Sequence, residues 1–95
     1  MRYHIAAFAI AALLMGSVLA ACGQDVAQGE KVATGPCVQC HSNLVTCSNL
    51  DKDASYWENT VNRMVSKGMD ISDQEQEAVV EYLSGLEPGS SPICD

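Results

Sequence analysis

Five residues, Cys37-Val38-Gln39-Cys40-His41, limit what this chain can become more than any other stretch. A Cys-x-x-Cys-His run is the attachment pattern of a c-type haem. Two intervening residues set the thiols at the spacing of the vinyl groups, and both thiols become thioethers. His41 follows Cys40 directly, which brings its imidazole under the iron as proximal ligand. The competing readings are a redox dithiol and half of a zinc site. A zinc site needs two further Cys or His ligands at suitable spacing. Downstream of residue 41 only Cys47 and Cys94 are left, and they form no second Cys-x-x-Cys. The reading adopted is one covalent haem c, with Cys37, Cys40 and His41 binding it.

A chain of 95 residues allows one small domain. Residues 1–21 read as a secretory signal and lie outside that domain, which spans residues 22–95. Arg2 supplies a positive start, Ile5 to Met15 is uncharged and apolar, and Leu19-Ala20-Ala21-Cys22 closes the segment. It is too short and wrongly flanked for a membrane span. The ending resembles the lipobox of bacterial lipoproteins. That resemblance implies cleavage before Cys22 and a lipid on its thiol. The chain would then sit in the periplasm, tethered to a bacterial membrane; inner and outer membrane are both open. The alternative is an ordinary signal cut near Ala21.

Once Arg2 leaves with the signal, Lys31, Lys52, Arg63 and Lys67 face twelve acidic side chains, a net charge of −8. No basic patch exists, which argues against nucleic-acid binding. An acidic surface suits docking of a basic redox partner. It serves solubility equally well. So small a chain has a modest core, to which a buried haem would add apolar mass.

Of five cysteines, Cys22 is assigned to lipid and Cys37 and Cys40 to haem. Cys47 and Cys94 remain. Export implies an oxidising compartment, where two spare thiols tend to pair. A Cys47–Cys94 disulfide would tie the tail to the loop after the haem motif; the alternative is two unpaired thiols.

The remaining pattern is helical. Gln24 to Thr34 reads as a short helix capped by Asp25, with Val26, Gly29, Val32 and Ala33 on one small apolar face. Gly29 permits close approach by another helix. Gly35-Pro36 ends that helix and delivers Cys37. Ser42 to Asp53 reads as a polar loop, in which Leu44, Val45 and Leu50 either cover a haem edge or simply pack the loop. Asp53 to Lys67 is the second helix. Trp57, Val61, Met64 and Gly68 share one side of it, with Val65 beside them. Trp57 reads as a core anchor, with its indole N–H as an alternative donor to a haem propionate. Ser72-Asp73-Gln74-Glu75 is a capping box opening the third helix, and Val79, Val80, Tyr82, Leu83 and Leu86 supply its buried face. Gly85 ends it. The expected fold is all-α: about three helices around one covalent haem.

His4 lies in the signal, so His41 is the sole imidazole of the exported domain, and bis-His ligation within it is excluded. Met64 and Met69 are the methionines outside the signal. Either can supply the sixth ligand in a His–Met arrangement, which raises the potential. Either can equally be core filling.

Gly29-Glu30-Lys31-Val32 ahead of Cys37-x-x-Cys-His41, with Ser72-Asp73-x-Glu75 leading to Val80-x-Tyr82-Leu83, resembles the class I c-type cytochromes. The resemblance implies terminal helices that cross near the haem, with Gly29 and Tyr82 at the crossing. The stretch Trp57-x-x-x-Val61-x-Arg63-Met64-x-x-x-Gly68 resembles a short subgroup. Its members act alone or as haem subunits of periplasmic dehydrogenases. In that subgroup the Met of the Arg-Met pair recurs, which implies Met64 as axial ligand over Met69. The function implied is one-electron transfer with redox partner proteins, without a small-molecule substrate. No catalytic constellation is visible, so the chain reads as a carrier and not as an enzyme. The alternatives are a haem subunit of a dehydrogenase and a gas-binding haem sensor.

Overall fold

The computed structural model describes residues 17–95, with side chains described from residue 26 onward. Most of the signal segment and the side chain of Cys22 therefore lie outside the described residues. Among the described residues the structure is all-helical, with no strand. No helix there is long and apolar enough to cross a membrane.

Helix α1 spans Ser17–Thr34. It begins seven residues before the Gln24 start expected from sequence, and Asp25 lies inside it instead of capping it. Leu19, Ala20 and Ala21 are strong helix formers, and the helix continues from them through Gly23 into Gln24. Val32 and Ala33 are buried, but Val26 is 58% exposed and stands off the apolar face assigned to it. The helix stops where Gly35-Pro36 removes a backbone donor and fixes the next φ. One 3₁₀ turn, Pro36–Val38, follows directly.

The stretch read as a loop contains a short helix, α2, Leu44–Cys47. One turn is too brief for apolar periodicity to reveal. Helix α3 spans Ala54–Ser66; the Asp53 carboxylate caps it by accepting from the Tyr56 N–H at 3.0 Å. Trp57, Thr60 and Val61 are its buried residues. Helix α4 spans Asp73–Gly85 behind a complete capping box. The Ser72 hydroxyl accepts from the Glu75 N–H at 3.1 Å, and the Ser72 N–H donates to the Glu75 carboxylate at 3.0 Å. Acids in that first turn also meet the positive end of the helix dipole.

Helix α4 is the element the others pack on: α1 lies along one side and α3 along another. The α1–α4 crossing centres on Gly29, which is buried against Ala78 and Tyr82. Val79, Val80 and Leu83 fill the space between helices. The tail returns to this core through Ile93, which is 2% exposed. Next to it, Cys94 is bonded to Cys47, with α-carbons 5.1 Å apart. That spacing is ordinary for a disulfide. The bond fixes the end of α2 to the tail.

Candidate functional site

The Gly35-Pro36 break turns the chain so that the two motif thiols face different surroundings. Cys37 is buried in the common core at 6% exposure, whereas Cys40 is exposed. Neither is bridged to another cysteine. Burial pushes the Cys37 thiol above its ordinary value of 9.0, because a thiolate there would be poorly solvated.

His41 is partly exposed. Its Nδ1 lies 2.9 Å from the carbonyl oxygen of Ser42. A carbonyl can only accept, so Nδ1 must carry the proton in this contact. In the neutral ring the lone pair is then on Nε2, on the far side of the ring. This is how a ligating histidine is ordinarily held: one nitrogen donates to a fixed acceptor, and the other is free for the metal. Sequence reasoning found His41 but not its acceptor, since any residue in position 42 supplies a backbone carbonyl.

The two methionines are brought together at one place. Helix α3 ends with Gly68 at φ 110°. The Gly68 N–H donates to the Val65 carbonyl at 3.0 Å, and the Met69 N–H donates to the Met64 carbonyl at 3.0 Å. This pair of bonds is a Schellman motif, with Met64 three positions inside the helix end and Met69 just beyond the glycine. Both side chains are partly buried and pack on the core cluster that holds Cys37 and Trp57. The expected placement of Gly68 on the apolar side of α3 gives way to this role: it is exposed and serves as the left-handed residue that turns the chain.

Trp57 is 2% exposed, and the ring of Tyr56 meets it edge-on at 5.1 Å. Its indole nitrogen is buried with no hydrogen-bond partner, and the Oδ1 of Asn43 is in the same condition. Asn43 sits at the N-cap position of α2 with helical backbone angles and does not cap it with its side chain. A buried donor without a partner costs about 1–3 kcal/mol. An indole N–H in that state is what a haem propionate would satisfy. Leu44 and Val45, expected either to cover haem or to pack the loop, are instead 72% and 57% exposed. They form a small apolar surface close after His41.

Two surface grooves lie elsewhere. One, with a cavity volume of about 640 Å³, runs between α3 and α4 and is lined by Glu58, Val61, Asp73, Glu77 and Glu81 among others. The second, about 620 Å³, lies beside Lys31, Pro36 and Gln74. Neither is lined by Cys40, His41, Met64 or Met69. The chemistry of the motif is therefore not served by either groove.

The donor set fits a covalent haem. Two free thiols stand with two residues between them in sequence, one imidazole directs Nδ1 at a carbonyl and leaves Nε2 without a protein partner, two methionines sit at a helix end, and one buried indole N–H lacks an acceptor. No protein-family model, curated protein or solved structure matches the chain.

Proposed function

We propose that this chain is a one-electron carrier built on a single covalent haem c, in the manner of the small class I c-type cytochromes. The observation that supports the reading is the Nδ1–Ser42 contact, which leaves Nε2 of His41 without a protein partner directly after two free thiols in sequence. Cys37 and Cys40 would each add across a vinyl group. In each addition a sulfur–carbon bond forms, the thiol hydrogen passes to the neighbouring vinyl carbon, and the double bond becomes single. His41 would hold one axial position and Met64 the other, with the Trp57 indole N–H on a propionate. Bound in this way, haem supplies an iron that alternates between ferric and ferrous. The side chains around it do no bond-making chemistry. Cys37 and Trp57 would hold it from the core side, and Cys40 would hold it from the surface.

The same reading places the domain in a bacterial periplasm, tethered through lipid on Cys22, where the acidic surface would meet a basic redox partner. A second form of it, a haem subunit of a periplasmic dehydrogenase, is favoured by the exposed Leu44 and Val45 close after the motif. Apolar side chains left in water beside the transfer point suit a lasting interface. Co-purification of a larger protein would select that form over the free shuttle.

The test is the visible spectrum of the protein expressed with a haem-attachment system. A low-spin haem c spectrum is expected, with haem that survives acid–acetone extraction and is lost in a Cys37→Ser, Cys40→Ser variant. Colourless protein, or haem that extracts freely, would overturn the reading.

A further inference from the structure

The helix end that carries Met64 also carries Met69, and the arrangement does more than stop α3. We infer that the two form a thioether pair serving one axial position: Met64 is the resident ligand, and Met69 replaces it when it is lost. The inference rests on the haem reading above.

In a Schellman motif an apolar contact frequently forms between these two positions. Here the backbone bond from Met69 to the Met64 carbonyl, 3.0 Å, locks their spacing. Both side chains are partly buried and pack on the same core as Cys37. Each is unbranched, with three rotatable bonds and the same donor atom. The pair requires one ligand position shared by both sulfurs.

The two mounts differ. Met64 is inside α3, where backbone bonds fix its α-carbon. Met69 is on the connection between α3 and α4, set by Gly68 at φ 110°. A helical mount favours Met64 as resident, and a loop mount leaves Met69 free to adjust. Exchange needs nothing further: one iron–sulfur bond breaks, another forms, and neither electrons nor protons change in number. Both methionines are partly buried at the edge of a fully buried core made of Val, Leu, Ile, Ala, Cys and Trp. The methionines of the described residues occur only here, joined by one hydrogen bond.

The experiment uses the haem-loaded full chain as wild type, Met64→Leu, Met69→Leu and the double variant. Leucine keeps the volume, so the fold is retained; circular dichroism melts check this for each. The readouts are the Met–iron charge-transfer band, the midpoint potential and carbon monoxide uptake by the reduced protein. Each single variant is expected to keep the band and resist carbon monoxide. The double variant is expected to lose the band and bind the gas. A Met64→Leu protein as bandless and as reactive as the double variant would overturn the pair and leave the electron-carrier reading standing. So would loss of the band in Met69→Leu alone, or a wild type with covalent haem but no band. A wild type without covalent haem would overturn both.

Discussion

Gly29 and Tyr82 are in near-backbone contact where α1 crosses α4. A β-carbon built on Gly29 would sit 2.5 Å from the Tyr82 β-carbon and 2.5 Å from the Ala78 carbonyl oxygen. Neither neighbour is the flexible end of a side chain, so the helices themselves would have to part. Gly29→Ala is expected to cost about 1–3 kcal/mol by overpacking. Its gain in helix propensity, up to about 1 kcal/mol, offsets only part of that. Urea unfolding should show a lower midpoint with an unchanged slope. A midpoint equal to or above wild type would mean that the crossing has slack.

The Cys47–Cys94 bond closes a separation of 47 residues. Loop-closure entropy assigns such a crosslink about 4 kcal/mol, and measured losses fall at about 2–5 kcal/mol. A Cys47→Ala, Cys94→Ala variant is expected to lose stability in that range. Reductant should lower the wild-type unfolding midpoint and leave the variant unchanged. Equal midpoints with and without reductant in the wild type would show that the two sulfurs are not bonded in solution.

Trp57 offers a test of how the core receives haem. Trp57→Phe keeps a ring in the core but deletes the indole N–H that has no protein partner. If a propionate accepts from it, that propionate loses a bond made to its charged form, and its pKa rises. The pH-dependent step in the midpoint potential should then move to higher pH. A potential–pH curve superimposable on wild type would reduce Trp57 to a packing residue.

Alkaline pH should weaken the haem-free chain. Burial raises the Cys37 thiol above its ordinary 9.0, and Tyr82 is raised above 10.0 by burial and by the Glu30 carboxylate. For both groups the folded state holds its proton more tightly than the unfolded state. Their contribution is complete below the unfolded values and is lost as pH rises through 9.0 and then 10.0 toward the folded ones. Thermal melts at neutral and alkaline pH check this. Alkylation should also be faster at exposed Cys40 than at Cys37; equal rates under native conditions would contradict the burial difference.

Features written in local chemistry were legible in the sequence. The Ser72–Glu75 capping box and the Gly35-Pro36 break each depend on a few neighbouring residues. The small residue at Gly29 announced a close approach because a helix interior rarely carries glycine without reason. Other features depended on context. The early start of α1 runs through Gly23, which in sequence reads as a stop and which no motif marks as helical. Helix α2 is too short to carry a period. The exposure of Val26, Leu44 and Val45 is set by where other elements fail to cover them. The Ser42 carbonyl is invisible because every residue has one. The meeting of Met64 and Met69 was half legible: Gly68 was in plain view, but only its left-handed turn shows that it brings the flanking methionines together.

The α1–α4 crossing joins elements that flank the Cys37–His41 segment on either side in sequence. Holding such distant partners together costs chain entropy, which the burial between the two helices offsets. With the helices apart, Cys37 would lose the core that covers it. With them docked, Cys37 is walled in, and its thiol is a poorer nucleophile. On the haem reading, the Cys37 thiol would be most open to attachment before the two ends of the chain close over it.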